Sequence, residues 1–250
     1  MKEHKIFDIK VNEITLQELL SIIENAIYFK KKIKICYTNP HLVILSRKEK
    51  SLTKVLNDFD INHIDGTGLK IAFRLLENKL VRRFNWTDYA LTFLSECERN
   101  DWSIFFLGGD QNTVSIAAQK VIQSFPSLKV AGFLNGYDGL TDHSVSLINQ
   151  SSADILWVGL GSPKQEVWVA KNFEKINCNV IQCVGDIYTH IAGKRLRGPE
   201  FLRKLGFEWF FRLVQNPVKY FNRYVIGIPY FIFLILIYKF NGYKKISSKI

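Results

Sequence analysis

Short runs of β-branched and aromatic residues alternate along this chain with longer segments in which apolar residues recur every three or four positions. Runs of the first kind are typical of buried strands, and segments of the second kind are typical of helices packed on a sheet. Strands are predicted at Lys34–Thr38, Ile61–Ile64, Ser103–Leu107, Lys129–Phe133, Ile155–Gly159 and Val180–Val184. Helices are predicted near residues 41–57, 67–77, 87–99, 112–124, 142–150 and 164–175. The alternation predicts an α/β fold in which a mostly parallel sheet carries helices on both faces.

Polar and glycine residues follow the predicted strands, at the edge where parallel sheets bind their ligands. These segments are Thr38-Asn39-Pro40-His41, Asp65-Gly66-Thr67-Gly68, Gly108-Gly109-Asp110, Asn135-Gly136-Tyr137 and Gly159-Leu-Gly-Ser-Pro-Lys-Gln-Glu166. Three of them are glycine turns that lead into a helix, where free backbone N–H groups and the positive end of the helix dipole favour phosphate. Three such turns along one edge predict a site for a nucleotide diphosphate.

Each polar residue in these turns has a local structural interpretation beside the functional one. Ser162 and Gln165 have the spacing of a helix capping box, which accounts for both residues and still presents Gln165 to a ligand. Asp65 is either a turn or cap residue or a general base that takes a proton from an attacking sugar hydroxyl. Asn39 before a proline is a good helix cap, yet Asn39 and Thr38 are also polar side chains on the same predicted edge as Asp65.

The most apolar run of the chain, residues 225–238, lies in a strongly basic C-terminal segment. Residues 194–250 hold 12 lysines and arginines against 2 acidic residues, whereas residues 1–193 hold 22 against 21. Cations beside an apolar segment are attracted to an anionic bilayer, each by roughly 1 kcal/mol near the surface. The 15 residues between Arg223 and Lys239 would span about 22 Å as a helix, less than the roughly 30 Å of hydrocarbon. The segment is therefore predicted to lie in the interface or re-enter it, with a tilted span and a buried core helix as alternatives.

Composition limits the domain organisation and the classes of function. The 250 residues are 47% hydrophobic, enough for one α/β domain over residues 1–193 with a basic, aromatic appendage over residues 194–250. The N-terminus lacks the apolar stretch of a signal peptide, so the body is expected in the cytoplasm with its four cysteines reduced in the core. Because the basic charge shares its segment with the apolar run, no nucleic-acid partner is expected.

No metal is predicted. Asp58-Phe59-Asp60 imitates the D-x-D metal site of some nucleotide-sugar enzymes, but it precedes a strand and therefore falls on the wrong edge of the sheet. The five histidines lack the spacing of metal ligands.

Three cations, Arg212, Lys219 and Arg223, interrupt an aromatic, helix-like stretch over residues 207–224, and a fourth, Arg203, precedes it. They form either a solvated or lipid-headgroup face or a set that closes over a diphosphate, since the planar guanidinium binds phosphate oxygens two at a time. The pattern leaves both interpretations open.

With these motifs in place, the chain resembles the WecG/TagA/CpsF family of bacterial glycosyltransferases (glycosyltransferase family 26) over about residues 5–224. The likeness rests, in order, on Thr38-Asn39-Pro40 with Asp65-Gly66-x-Gly68, Gly159-Leu-Gly-Ser-Pro-Lys-Gln-Glu166, Ala192-Gly-Lys194, Gly206-Phe-Glu-Trp-x-x-Arg212-Leu, and Pro217-x-Lys219 with Arg223-Tyr224. The resemblance implies a Rossmann-like α/β core with a C-terminal helical appendage that docks on the membrane.

The resemblance also implies inverting, metal-independent transfer of an N-acetylmannosamine-type sugar from UDP to a polyprenyl-diphosphate-linked sugar, for cell-surface polysaccharide or teichoic acid synthesis. The protein would act at the cytoplasmic face of the cell membrane, peripherally or monotopically. Its partners would be a UDP-sugar, an undecaprenyl-diphosphate-linked acceptor and the anionic membrane surface, with a homo-oligomer left open and no cofactor. Asp65 would be the catalytic base. The residues expected to bind substrate are Thr38, Asn39, Arg83, Gly108, Gly109, Gly136, Tyr137, Gln165, Arg212, Lys219 and Arg223.

The chain departs from the family pattern in three places. Trp86 stands in the segment Arg83–Asp88 where a glycine is usual, which is expected to reshape that wall of the site. Thr189 replaces the usual aspartate, and Asp186 is a candidate to stand in for it. Lys219 replaces a common arginine and loses the bidentate grip on phosphate. These departures keep open a catalytically inactive membrane scaffold. A nucleotide-dependent oxidoreductase is a second alternative, disfavoured because no G-x-G-x-x-G motif with a downstream acidic residue is present.

Overall fold

Eight strands form one sheet at the centre of the protein. The computed structural model describes residues 1–137, 140–196, 198–199, 202 and 206–240, without the side chain of Lys219. The strands are β1 (Lys2–Ile6), β2 (Ile9–Glu13), β3 (Ile33–Thr38), β4 (Ile61–Ile64), β5 (Ile104–Gly108), β6 (Val130–Leu134), β7 (Ile155–Gly159) and β8 (Val180–Cys183). Their order is β1-β2-β4-β3-β8-β7-β5-β6, and every neighbouring pair is parallel except the β1–β2 hairpin. The predicted mostly parallel α/β sheet is confirmed.

Helices cover both faces of this sheet. They are α1 (Leu16–Tyr28), α2 (Pro40–Lys48), α3 (Lys50–Asn57), α4 (Thr67–Glu77), α5 (Trp86–Arg99), α6 (Gln111–Ser124), α7 (Asp142–Gln150), α8 (Lys164–Asn172), α9 (Ile187–Ile191), α10 (Glu208–Gln215), α11 (Pro217–Phe221) and α12 (Gly227–Phe240). A 3-10 turn over Phe173–Lys175 follows α8, and a π-helical turn over Asn222–Ile226 joins α11 to α12. The single helix predicted near residues 41–57 is two helices, because Glu49 has an extended backbone between them.

The sequence patterns do not predict the N-terminal hairpin or α1. Phe7 and Asp8 form the hairpin turn with positive φ angles of 47° and 69°, a conformation whose usual signal is Asn-Gly. Thr15 and Glu18 then form a complete capping box at the start of α1, which is a readable signature. The hairpin could not be predicted because its turn residues are unusual for that conformation. The start of α1 could have been predicted from its capping box.

The central strands are buried on both faces. Along β7, Ile155 and Trp157 belong to one core cluster, and Leu156 and Val158 belong to the other. Because successive side chains of a strand point to opposite faces, a continuous apolar run indicates a strand covered by helices on both sides. All four cysteines are buried and free, as predicted.

Helix α12 packs against α2 and α4 with one side buried. Its buried side chains are Phe231, Leu234, Ile235 and Tyr238, which join the larger core cluster. Phe7 of the N-terminal hairpin lies 4.7 Å from Tyr238 between ring centroids. Residues 222–240 form the one helical segment in the described part of the chain that is long and apolar enough to cross a membrane. The inner side of α12 contacts the core, so only its outer face is exposed, and its placement on or in a bilayer stays a prediction.

The outer face of α12 is apolar and exposed. Its large exposed apolar side chains are Tyr230, Ile232, Phe233, Leu236 and Phe240, and Pro229 and Lys239 are exposed as well. Helix α12 shares a hydrophobic cluster with β3 and β4. The division between a core and an appendage at residue 194 therefore stays a prediction.

Candidate functional site

A cavity of about 360 Å³ lies beyond the carboxyl ends of β3 and β4, beside α10 and α12. Its polar and charged lining consists of Asn39, His41, Asp65, Thr67, Arg83, Asn85, Glu208, Arg212 and Arg223. Its large aliphatic and phenyl lining consists of Ile44, Ile71, Phe207, Ile228, Phe231, Ile232 and Ile235. Five predicted site residues therefore meet in this cavity although they come from distant parts of the chain. They are Asn39, Asp65, Arg83, Arg212 and Arg223.

The end of β4 places Asp65 in this cavity. Its backbone N–H donates to the carbonyl of Thr38 on β3 at 2.8 Å, so the two strand ends are held together. Gly66 then turns the chain into α4 with a φ of 85°, a left-handed conformation that glycine adopts readily. The first turn of α4 has no side-chain cap. Asp65 therefore lines the cavity instead of capping the helix.

Asp65 is partly buried among charges of both signs. Burial raises the pKa of Asp65 to about 6, while Arg212 and Arg83 lower it and Glu208 raises it. Desolvation disfavours the charged carboxylate, and the neighbouring guanidinium groups favour it. The carboxylate is thus ionised at neutral pH but more basic than an ordinary aspartate, which suits a general base.

Asn39 and Thr38 have different environments. The Oδ1 atom of Asn39 accepts a hydrogen bond from the N–H of Leu42 at 3.1 Å and caps α2, and Asn39 also lines the cavity. Thr38 is fully buried, and its hydroxyl donates to Oδ1 of Asn62 at 2.9 Å. Thr38 does not line the cavity, and its contact with a ligand stays a prediction.

The segment after β7 forms a buried polar network. The Ser162 hydroxyl donates to Oε1 of Glu166 at 2.9 Å, and α8 begins without a side-chain cap. The predicted capping box is therefore wrong, because Ser162 bonds to a side chain instead of a backbone N–H. Gln165 donates to the same Glu166 oxygen at 2.8 Å and accepts from the N–H of Gly185 at 3.0 Å. Gln165 is fully buried, and its contact with substrate stays a prediction.

The C-terminal segment supplies two arginines to the cavity. Arg212 pairs with Glu208 at 2.5 Å, and Asn85 donates to the other oxygen of that carboxylate at 3.3 Å. No carboxylate in the described part of the chain lies within ion-pair distance of Arg223. Arg223 therefore has more capacity for an anionic ligand than Arg212 has. The side chain of Lys219, predicted to join them, lies outside the described residues.

The predicted glycines lie along the same edge of the sheet but outside this cavity. Four strand spacings separate β4 from β5, roughly 19 Å at about 4.8 Å each. A Cβ atom on Gly108 would lie 2.4 Å from the carbonyl oxygen of Gly159. The N–H of Gly136 donates to the carbonyl of Gly109 at 2.8 Å. The glycines thus allow neighbouring loops to approach each other, and their contact with a nucleotide stays a prediction.

A cation lies beside this glycine edge. Lys194, from the Ala-Gly-Lys segment, donates to the hydroxyl of Thr113 at 2.8 Å and lies 3.6 Å from Asp110. Both partners belong to the start of α6, where the helix dipole is positive. Tyr137, three residues after the end of β6, is exposed. Lys194 thus balances the charge of Asp110 at this edge, and its contact with a nucleotide phosphate stays a prediction.

Trp86 does not form a wall of the cavity, so that expectation is wrong. Its side chain is buried, with its ring centroid 5.5 Å from that of Phe84 and 5.7 Å from that of Trp157. Helix α5 begins at Trp86 and is capped by Asn85. The helix start directs Trp86 into the core and leaves Asn85 to line the cavity.

Asp186 lies at the turn between β8 and α9, outside the cavity. It accepts a hydrogen bond from Thr189 and pairs with Arg195 at 2.6 Å. The guanidinium of Arg195 lies over the ring of Tyr220 at 5.4 Å. Asp186 thus connects this turn to the C-terminal segment, and its substitution for the family aspartate stays a prediction.

Asp58 and Asp60 have a structural role on the opposite edge of the sheet. The ammonium of Lys34 is 2.5 Å from Asp58, and the backbone N–H of Lys34 donates to Asp60 at 2.8 Å. Both aspartates therefore secure the start of β3, as their position before a strand indicated.

Four polar residues of the cavity, His41, Thr67, Asn85 and Glu208, were not among the predicted site residues. Burial, together with the nearby charges of Arg223 and Lys48, lowers the pKa of His41 to about 4, so its imidazole is neutral at physiological pH. Its place directly after the Thr-Asn-Pro segment is a signal that would have identified it. Glu208 lies in the motif Gly206-Phe-Glu-Trp that carries the family resemblance, and its spacing of four positions from Arg212 on α10 is a second signal.

Comparison with known proteins gives one family and a set of named relatives. The model of the glycosyl transferase WecG/TagA/CpsF family matches residues 4–245. An N-acetylglucosaminyldiphosphoundecaprenol N-acetyl-beta-D-mannosaminyltransferase of Bacillus subtilis (strain 168) is 25% identical over 212 residues, which cover 84% of this chain and 82% of that protein. Proteins of the same name from Bacillus spizizenii and Staphylococcus aureus (strain MW2) are 25% and 27% identical over 202 and 204 residues. These matches cover 81% and 79% of this chain and 78% and 80% of those proteins. The family match spans every segment that lines the cavity.

Proposed function

Because the chain belongs to the WecG/TagA/CpsF family of glycosyltransferases, we propose that it transfers an N-acetylmannosamine-type sugar from UDP to a sugar carried on a polyprenyl diphosphate. The relatives are named for transfer to N-acetylglucosaminyldiphosphoundecaprenol. The observation that carries the proposal is the meeting of Asp65 with Arg83, Arg212 and Arg223 around one cavity. The product would enter cell-surface polysaccharide or teichoic acid synthesis.

Asp65 acts as the base in this reaction. It accepts the proton of the acceptor hydroxyl as the hydroxyl oxygen attacks the anomeric carbon of the donor sugar. The bond from that carbon to UDP breaks, and UDP leaves with the bonding electron pair. Attack on the face opposite UDP inverts the anomeric configuration without a covalent enzyme intermediate. The raised pKa of Asp65 makes it a better proton acceptor than a solvated aspartate.

Arginine side chains stabilise the charge that develops on the departing UDP. Arg223 has no carboxylate partner among the described residues, whereas Arg212 shares its guanidinium with Glu208. A guanidinium binds two phosphate oxygens in a fixed geometry, and its charge is worth more where water is excluded. With this charge in place, the reaction is proposed to proceed without a metal ion.

The donor nucleotide is proposed to lie along the carboxyl edge of the sheet. Its sugar would lie at Asp65 and Asn39, near Thr38 and Gln165. Its nucleoside would extend toward the loops that contain Gly108, Gly109, Gly136 and Tyr137. Lys194, which lies beside the start of α6 and pairs with Asp110, is a candidate contact for the phosphates at that edge.

The protein is proposed to act peripherally or monotopically at the cytoplasmic face of the cell membrane. The acceptor named for the relatives is lipid-linked, which suggests membrane association. The exposed apolar face of α12 and the excess of lysine and arginine after residue 194 supply the two attractions that interfacial binding needs.

Transfer by purified full-length protein tests this function. We expect release of UDP when UDP-N-acetylmannosamine and a lipid-linked N-acetylglucosaminyl diphosphate are present together, and a product with inverted anomeric configuration by NMR. Binding of UDP-sugars without transfer from any of a panel of them would indicate an inactive scaffold. Tight binding of NAD with no UDP-sugar binding would favour the oxidoreductase alternative.

A further inference from the structure

The wall of the cavity changes from cationic to apolar along the C-terminal helical segment. Arg223 and Tyr224 line the cavity just before α12, and Ile228, Ile232 and Ile235 line it over the following turns. The distance from residue 223 to residue 235 along the helix is about 18 Å at 1.5 Å per residue. Neither a sugar nor a diphosphate gains from an apolar wall of this length, so the wall indicates a ligand with an apolar part.

The apolar part of the cavity opens to the outside between α4 and α12. Ile71 of α4 and Ile232 of α12 line the cavity and are half exposed, at 50% and 51%. Leu75 and Leu236, one turn further along their helices, are also exposed and extend the apolar surface beyond the mouth. The floor is closed, because Phe231 is buried in the core cluster. The mouth therefore belongs to the same apolar surface that α12 presents to a bilayer.

We propose that the channel between α4 and α12 binds the first isoprene units of the acceptor's lipid chain, with the acceptor's diphosphate beside that of UDP at the cationic end of the cavity and its sugar at Asp65. This inference rests on the proposed function and adds the path of the lipid to it. The cavity of about 360 Å³ is near the lower limit of small-molecule sites, roughly 300–1,000 Å³. Only the beginning of the chain enters, and the remainder stays in the bilayer.

An amphiphile with an anionic head matches both parts of this cavity. The guanidinium groups of Arg83, Arg212 and Arg223 suit phosphate oxygens. The isoleucine walls stabilise a bound apolar chain by removing its surface from water. The acceptor then moves sideways from the bilayer into the site, and its lipid chain does not cross water.

Binding of geranyl diphosphate to the full-length protein, measured by calorimetry, tests the channel without requiring catalysis. We expect geranyl diphosphate to bind at least about tenfold more tightly than inorganic diphosphate, because its ten carbons are removed from water. Ile71→Gln and Ile232→Gln should reduce this advantage to about threefold or less and leave inorganic diphosphate binding unchanged. Ile122→Gln on α6 and Ile226→Gln before α12 are matched controls, since these isoleucines are 48% and 56% exposed and do not line the cavity.

Three results would overturn the proposal. The first is equal affinity for geranyl diphosphate and inorganic diphosphate. The second is an equal loss in Ile226→Gln, which would assign the effect to the general apolar surface. The third is binding of dihexanoyl phosphatidylglycerol as tight as that of geranyl diphosphate and sensitive to the same two variants, which would make a membrane phospholipid the occupant. Failure of sugar transfer would refute the proposed function and leave these binding results to be judged separately.

Discussion

Replacing Asp65 by asparagine is expected to remove most turnover and, at neutral pH, to make the protein more stable. Asparagine cannot accept the proton of the acceptor hydroxyl, so turnover should fall at least about 100-fold, the scale of losing a general base. The shape of the side chain is nearly unchanged, so UDP affinity should be nearly intact. The gain in stability arises because asparagine carries no charge that burial would disfavour.

The pH dependence of this gain has a definite sign. The pKa of Asp65 is raised from 3.8 to about 6 in the folded protein. Between these two values the folded state binds more protons than the unfolded state, so the free energy of unfolding falls as pH rises from about 4 to about 6. The full penalty is present above about pH 6, and none of it is present below about pH 4.

The magnitude follows from the same shift. Roughly two pKa units correspond to about 3 kcal/mol at 1.36 kcal/mol per unit. Asp65 is only partly buried, and solvent screening reduces the expected gain to about 1–2 kcal/mol. A change of 1 kcal/mol moves the Tm of a chain of this size by about 2–4 °C, so the Tm of Asp65→Asn should rise by about 2–8 °C near pH 8.

Thermal and urea unfolding at about pH 8, 6 and 4 measure the difference between the two proteins. Glu166, whose pKa is raised by burial to about 7, titrates in both and cancels. Asp88→Asn is the control, because Asp88 lies 3.6 Å from Arg83 and does not line the cavity; this variant should gain no stability. A variant Asp65→Asn that is less stable than the parent near pH 8, or whose advantage persists at pH 4, refutes the reasoning. Near-normal turnover would remove Asp65 from the role of base.

Three other results are expected. Phe231→Ala should lower the free energy of unfolding by about 3–5 kcal/mol because the Phe231 ring is buried. Phe233→Ala on the exposed face should change the free energy of unfolding by less than about 0.5 kcal/mol and should weaken binding to anionic vesicles. Equal losses of stability in the two variants would contradict the packing of α12. Arg223→Ala should lower kcat with a water-soluble acceptor by about 10-fold or more, and Arg223→Lys should recover only part of it; normal turnover in both would leave Arg223 outside the reaction. Turnover should persist in EDTA, and its abolition by EDTA with recovery in Mg²⁺ or Mn²⁺ would show that a metal is required.

The central sheet could be predicted because strands that are buried on both faces are rich in apolar and β-branched residues. Ile155–Gly159 is a continuous apolar run, and Ile61–Ile64 begins and ends with a β-branched isoleucine; the predicted bounds of both segments agree with β7 and β4. The hairpin could not be predicted, since Phe7 and Asp8 adopt a turn conformation that their residue types do not favour. The break at Glu49 likewise depends on backbone geometry that no proline or glycine announces.

The polar part of the site could be predicted in part, and its apolar part could not. Asp65 and Asn39 follow parallel strands, whose carboxyl ends gather at one edge. Arg212 and Arg223 were identified through family motifs, since nothing local to α10 places them near β4. Helix α12 is apolar on all sides and therefore has no periodicity that distinguishes an inner face. Its rotation is set by its contacts with Phe7, α2 and α4, which only the folded structure provides.

The contact of α12 with the rest of the protein also has a consequence for synthesis on the ribosome. One wall of the cavity, from Asn39 to Asn85, is translated early, and the wall formed by α10 and α12 is translated last among the described elements. Until residues 208–226 emerge, the nascent chain carries Asp65 without Arg212 or Arg223, and until α12 emerges the apolar surface around Phe7 stays uncovered. Exposed apolar surface on an incomplete chain promotes aggregation. Helix α12 therefore covers that surface and supplies the apolar wall of the cavity at the same time. A chain terminated before α10 is expected to be both inactive and dependent on chaperones.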